Sequence, residues 1–436
     1  MTTAWVVVGF LLFFLGLLIS VGLHEIGHLV PAKLFGVRVT QYMVGFGPTL
    51  WSKRRGETEY GVKAIPLGGY IRMIGMLPPR PDDAPGKLRN MNTGMWQGLI
   101  DSARQAALEE IRPGDEDRVF YRKRWWQKVI IMAGGPAMNF VLAFVLFAIV
   151  MMGIGVPTQT LTVDKVSACV KTAQEYARNP DCAPDDPKSP AALAGLQAGD
   201  TIASIDGRKV TTWEEATRAI RDHGAGPAQI GIVRDGRPLT VTANLIAQDR
   251  PSLDDPDEIE RGVGFLGVTP LTVVQKQGAG YVIAQMWDMT ARTAAALADF
   301  PQKMVGVWQA AFGGGERELD GPVSIVGAGR IGGEIAASEA PVDDKVTMFI
   351  MLLAGFNLAI GMFNLVPLLP LDGGHIAGAL WEGVKRGWAR LLRRPSPGYV
   401  DIAKALPLTY AMAAVLLVMG GLLIYADIVN PIRISG

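Results

Sequence analysis

His24, Glu25 and His28 stand in the order H-E-x-x-H at the end of a run of apolar residues that starts at Met1. Read as a helix, positions 24 and 28 share one face, so two imidazoles can hold a single metal ion. Glu25, the next residue round the helix, is placed to take a proton from a water attacking beside that ion. This is the side-chain set of a zinc-dependent hydrolase. Three ionisable groups on an otherwise uncharged apolar helix are costly in lipid unless they face a protein interior, so a functional site is the expected reason for their presence.

A catalytic zinc takes a third protein ligand and leaves a fourth position open. Two other histidines exist, His223 and His375. His223 falls in a segment that charge places on the other side of a membrane. The remaining candidates gather in Asn364-Leu365-Val366-Pro367-Leu368-Leu369-Pro370-Leu371-Asp372-Gly373-Gly374-His375, where Asp372 is the first charge after 26 uncharged residues. Asp372 is the expected third ligand. His375, three residues on, is the alternative, as ligand or as a partner behind the ligands. Pro367 and Pro370 break a helix and free backbone carbonyls, which is tolerated where the chain lines a wet cavity. Asn364 offers a donor and an acceptor, either to a substrate main chain or to a neighbouring helix.

These residues must be positioned by elements built from an apolar chain. Its 436 residues are 49% hydrophobic and 19% charged, with mean hydropathy +0.23. The excess lies in four charge-free runs, Met1–His24, Val129–Val163, Val346–Leu371 and Ala405–Ala426. Each is long enough to cross a hydrocarbon core of about 30 Å. A cytosolic enzyme, a disordered chain and a β-barrel are excluded. The expectation is a polytopic α-helical membrane protein, with four transmembrane helices at 1–30, 128–156, 346–375 and 405–426. The first run is read as a retained helix rather than a cleaved leader, since no Lys or Arg precedes it and no A-x-A site follows. A net charge of +1 gives no field for nucleic acid.

Segment 31–127 carries 16 basic and 10 acidic residues, whereas 154–344 carries 17 basic and 26 acidic. Basic residues near membrane ends favour the cytoplasmic side. With four crossings, both termini and 154–344 are expected outside, and 31–127 and 372–404 inside. Helices one and three then end at the same face, which brings His24, His28 and Asp372 together near the cytoplasmic boundary. His24 lies roughly 30 Å along its helix.

Between the helices, 36–76 reads as short strands and turns pressed to the membrane, 78–85 as a linker, and 94–111 as a packing helix. The apolar positions of that helix are Ile100, Ala107, Leu108 and Ile111. On the outer side, Ser189 to Asp200, Thr201 to Gly207, a helix from Trp213 capped by Thr211 or Thr212, and a hairpin at Asp235-Gly236 together resemble a strand-permuted PDZ domain over 160–270. That resemblance implies an α+β domain able to accept an extended peptide as an added strand, or one kept for bulk. Cys169 and Cys182 lie in this domain, as a disulfide or as two free thiols. Residues 279–340 hold a stretch, 279–312, with Trp287, Phe300, Trp308 and Phe312 that suits either a helix along the outer membrane surface or a packed helix. Gly327-Ala328-Gly329-Arg330-Ile331-Gly332 matches G-x-G-x-x-G, but the chain then enters a membrane helix rather than a βαβ unit, so no nucleotide is expected.

The H-E-x-x-H of helix one with the N-x-x-P and L-D-G-G of helix three resembles the site-2 protease family of intramembrane zinc metalloproteases. Further resemblances are Gly45-Phe46-Gly47-Pro48 with Pro66-Leu67-Gly68-Gly69-Tyr70, similar to the re-entrant β-loop of bacterial members, and Gly134-Gly135-Pro136-Ala137-Met138-Asn139 and Gly321-Pro322-Val323-Ser324-Ile325. The resemblance implies one Zn2+ held by His24, His28 and Asp372, with Glu25 as the base. It implies that Asn364 and Pro367 contact substrate, and that the loop bearing Gly45, Phe46, Gly47, Gly68 and Gly69 holds it as an extended strand. Substrates would be single-pass membrane proteins, typically anti-sigma factors or remnant signal peptides, in a bacterial inner membrane. The rivals are a membrane-bound PDZ binding module with a structural metal, against which Glu25 argues, and a transporter, against which the lack of an inverted repeat argues.

Overall fold

In lipid, a run of apolar residues can satisfy its backbone only by hydrogen bonding within itself, as a helix. Four helices do so. Thr3–Leu34, Trp125–Ile154, Val342–Asn364 and Ile402–Val429 are long and apolar enough to cross a membrane, and the chain is a multi-pass membrane protein. The structure, a computed structural model, describes residues 2–79, 95–171, 181–183, 185–253, 258–315, 317, 321–395 and 397–432. The linker expected at 78–85 lies outside these from residue 80 on. The chain forms two units, residues 1–153 with 278–436, and residues 154–277.

The first unit opens with α1 (Thr2–Leu34), followed by β1 (Val39–Arg55), β2 (Thr58–Met73), α2 (Met95–Glu109) and α3 (Trp125–Ala148), which continues as a π-helical turn to Ile154. In place of several short strands, β1 and β2 are long and bulged, and they fold over each other. Residues 39–44 pair with 59–62 on one side and with 69–73 on the other, so 69–73 forms an edge of the sheet. Among the described residues no strand covers that edge. Among the side chains described in α2, the expected apolar positions Ile100, Ala107 and Leu108 are half-buried, and the most deeply buried is Arg104, 3% exposed. Its guanidinium pairs with Asp401, and burying a charge is tolerated when such a partner is supplied.

The second unit contains β3 (Val156–Val166), α4 (Pro190–Leu193), β4 (Thr201–Ile205), β5 (Arg208–Lys209), α5 (Trp213–His223), β6 (Gly226–Arg234), β7 (Arg237–Pro251), β8 (Ile259–Phe265) and β9 (Val268–Gln275). The sheet runs β8-β7-β6-β4-β3-β9. Alternation, with a register shift in β4 between Ile202 and Ser204, buries Ile202, Ile205, Ile230, Ile232 and Leu245 in one core with Ala216 and Ile220 of α5. Thr212 caps α5 by accepting from the Glu215 N–H at 3.2 Å. Asp235 and Gly236 both have positive φ, the requirement of a tight two-residue hairpin turn between β6 and β7. Cys169 and Cys182 form a disulfide.

The chain returns to the first unit with α6 (Ala279–Ala298), α7 (Phe300–Phe312), α8 (Ile325–Ala337), α9 (Val342–Asn364), α10 (Asp372–Leu391) and α11 (Leu406–Val429). The apolar stretch 279–312 is two helices that meet at Asp299, with Pro301 in the first turn of the second. The G-x-G-x-x-G residues lie inside α8, so no strand precedes them. Two of the motif glycines let α8 sit on α1: a Cβ built on Gly329 would be 2.9 Å from the Phe10 ring, and one on Gly332 3.2 Å from the Phe13 Cβ. The third apolar run does not continue to 375. Helix α9 stops at Asn364 and α10 starts at Asp372, with Pro367 and Pro370 in the gap. The outer faces of the spans, such as Leu417 at 77% and Val418 at 73% exposed on α11, suit contact with lipid tails.

In the second unit Asp200 is 1% exposed and takes two hydrogen bonds from Arg234, at 2.7 and 2.8 Å. Arg234 holds its carboxyl below the usual carboxylate range. The pair therefore adds stability at neutral pH that is lost as pH falls below about 4 and through the lowered folded value. Native-state hydrogen exchange of β4 and β6, corrected for intrinsic rates, should show protection falling over that window in the wild type. Asp200→Asn should be less protected at pH 7 and show a flatter pH dependence.

Candidate active site

On α1 the i, i+4 spacing sets the His24 and His28 rings 4.8 Å apart, centroid to centroid. The Nδ1 of His28 lies 2.8 Å from the Ile131 carbonyl oxygen, which can only accept. Nδ1 therefore carries the proton, and Nε2 presents its lone pair to the site. Asp372 is the first residue of α10, where the helix dipole favours a negative charge. Its Oδ2 is 3.3 Å from Nε2 of each histidine, and the two Nε2 atoms are 3.2 Å apart.

These distances suit a metal. Zinc bonds of about 2.0–2.1 Å in a tetrahedron place neighbouring ligands about 3.3 Å apart. The carboxylate oxygen is buried and has no hydrogen-bond donor, as expected of an atom whose partner is a cation. His24, His28 and Asp372 are the only group of three or more His, Cys, Asp or Glu with converging ligand atoms among the described residues. His375 is not part of it; it lines a separate small cavity with Lys128 and Glu382.

Glycines make the convergence possible. A Cβ on Gly27 would lie 2.2 Å from the Gly134 carbonyl oxygen, and one on Gly134 2.0 Å from that of Gly27, so α1 and α3 touch backbone to backbone. A Cβ on Gly135 would lie 2.2 Å from Nε2 of His28. The Asp372 side is built the same way: Gly373 presses on the carbonyls of Leu365 and Val366, and Gly374 on the Leu369 amide. Lys128 of α3 binds Glu382 of α10 at 2.7 Å, both buried, and Arg386 binds the other Glu382 oxygen at 2.7 Å.

The site opens on a cavity of about 400 Å³ whose lining includes Ser20, His24, Glu25, His28, Gly68, Gly69, Tyr70, Asn139, Asn364 and Asp372. Glu25 is 8% exposed. A Cβ on Gly69 would come within 3.0 Å of the Glu25 Cγ, so glycine lets the edge of β2 lie close against that side chain. Of the substrate-contact candidates, Gly68, Gly69 and Asn364 line this cavity. Pro367 is exposed in the break, and neither it nor Gly45, Phe46 and Gly47 is in the lining. Gly45 and Gly47 have φ of +91° and +84°, and Phe46 stacks on Tyr70 with ring centroids 6.1 Å apart, which shapes the bend of the sheet. Sequence reasoning assigned no role to Asn139, Ser20 or the Lys128–Glu382 pair. Asn139 carried a signal, being the one polar side chain between Lys128 and Thr158.

The sequence model of peptidase family M50 matches residues 12–391. This chain is a member of peptidase family M50. The zinc metalloprotease Rip1 of Mycobacterium tuberculosis is 35% identical over 442 residues, 98% of this chain and 99% of its own. The metalloprotease MmpA of Caulobacter vibrioides is 27% identical over 403 residues, 87% of this chain and 88% of its own. The zinc metalloprotease RasP of Bacillus licheniformis is 25% identical over 411 residues, 83% of this chain and 87% of its own. The site-2 protease resemblance thus holds over nearly the whole chain, and this M50 member is a zinc metalloprotease.

Gly135→Ala tests the packing account. Its methyl group has no room beside His28, so zinc per chain, measured by inductively coupled plasma mass spectrometry, should fall at least tenfold. Gly153→Ala, with nothing within 4 Å of the added carbon, should retain wild-type zinc. Equal zinc in both variants would contradict the account.

Proposed function

We propose that this M50 protease cleaves single-pass membrane proteins within their transmembrane segments, with His24, His28 and Asp372 as metal ligands and Glu25 as general base. The observation that carries the reading is the edge of β2 at 69–73, uncovered by any described strand and lying against the Glu25 side chain of an H-E-x-x-H helix that is long and apolar enough to span a membrane. A transmembrane substrate hides its carbonyls in i to i−4 bonds and must unwind before any of them can be attacked. An unwound segment can regain backbone partners by pairing with that edge. The 69–73 strand then holds it extended beside Glu25, and Asn364 lies in the same cavity to contact its main chain.

Zinc at this site supplies Lewis acidity, which polarises the scissile carbonyl and lowers the pKa of the attacking water. Glu25 takes the proton from that water and returns it to the leaving amine as the peptide bond breaks. His28 Nδ1 keeps its proton and donates it in a hydrogen bond to the Ile131 carbonyl, which holds the ring oriented throughout. The apolar helices around the cavity limit competing water.

Basic residues in 31–127 favour a cytoplasmic loop there, with both termini and 154–344 extracytoplasmic and the site near the cytoplasmic side of a bacterial inner membrane. The PDZ-like unit then meets the outer part of a substrate, as a peptide site or as a size filter. Anti-sigma factors or remnant signal peptides, already trimmed outside, are the substrate class this reading implies.

The test is cleavage of a single-pass model substrate by purified protein in detergent, with the cut mapped by mass spectrometry. Glu25→Gln should retain zinc and lose at least 10³-fold in rate, while Asp372→Asn should lose both zinc and rate. A cut outside the apolar segment, or full activity in Glu25→Gln, would overturn the proposal.

A further inference from the structure

Extended chains present their backbone groups to alternate sides. When one edge of an unwound substrate pairs with 69–73, the main-chain N–H and C=O groups of every second residue face away from β2. In an apolar cavity those groups need other partners.

Asn139 meets that need. It is 1% exposed, and its Oδ1 is buried without a hydrogen-bond partner. It lines the same cavity as His24, Glu25 and Asp372. It is also the one polar side chain in the run from Val129 to Pro157, where an apolar residue of the same size would satisfy a purely packing role better. Opposite it, α9 carries Gly361, whose added Cβ would lie 3.4 Å from the Asn139 Cβ, so no side chain of that residue covers the amide. An amide with an unused oxygen beside a hydrolytic site is a group kept for a ligand.

We propose that Asn139 is a substrate-binding residue whose amide pairs with the main chain of the unwound segment, on the side that β2 leaves unpaired. The inference rests on the intramembrane cleavage reading above. The group it recognises is a peptide backbone rather than any particular side chain. Asn139 therefore supports binding of many sequences and adds selectivity for segments that unwind easily.

The test uses the full chain in detergent and a synthetic single-pass peptide, together with a series in which successive amides near the cut are replaced by esters. Asn139→Leu keeps the volume and removes the amide. It should lower kcat/KM about 10- to 100-fold while zinc content and melting temperature are kept. At one position, an ester that weakens wild-type cleavage should have no further effect in Asn139→Leu, the non-additivity expected of a direct contact. The same comparison is made by binding, in Glu25→Gln against Glu25→Gln with Asn139→Leu. Peptide that binds with the predicted ester pattern but is never cut by wild type would refute the cleavage reading and uphold the Asn139 contact. Unchanged kcat/KM, loss of zinc or melting temperature together with activity, or ester effects equal in both backgrounds would overturn the Asn139 proposal. Absence of binding to every variant would overturn both.

Discussion

Backbone-to-backbone contact between α1 and α3 at Gly27 and Gly134 governs the geometry of the site. Two helices with ordinary side chains pack with their axes 8–10 Å apart, whereas glycines let these two touch. Only at that closeness can the Ile131 carbonyl of α3 reach His28, and only with glycine at 135 is there room for its ring. Association in lipid has little hydrophobic drive and relies on close packing of small residues. The same contact that assembles the bundle therefore orients the His28 ring.

Helix α3 also reaches the other half of the site. Its first turn carries Lys128, bound to Glu382 of α10, and α10 begins with Asp372. Breaking a buried pair of this kind costs about 3–5 kcal/mol, a substantial share of a typical folding free energy. Arg104 with Asp401, and Arg317 with Asp427 at 2.6 Å, repeat the device elsewhere in the first unit. Charged residues so near apolar spans persist because each has a buried partner. Together they fix elements whose apolar faces alone would let them slide.

The candidate metal site was legible in the sequence because its residues break a pattern: His24 and His28 interrupt an apolar helix at one-turn spacing, and Asp372 ends a long uncharged run. Asp372 was then joined to the histidines by a charge-and-parity argument. The glycine motifs were legible as motifs, but their reason lies in the neighbour each one touches, which no local pattern contains. The burial of Arg104 was not legible, because local helical patterning cannot see Asp401 nearly 300 positions away. The folding of β1 and β2 over each other was hidden for a related cause, since bulges set its register. Asn139 stood out in its run, yet its unsatisfied oxygen and its place at the cavity appear only once α9 and α3 are packed.

The central proposal is that His24, His28 and Asp372 together hold one zinc and leave a coordination position open. Zinc K-edge X-ray absorption on the purified protein tests this directly. Two imidazole nitrogens and one or two oxygens at about 2.0–2.1 Å, with no sulfur, is the predicted shell, and His28→Ala should reduce the imidazole scattering by half. A shell containing sulfur at about 2.3 Å, or an imidazole signal unchanged in His28→Ala, would contradict it.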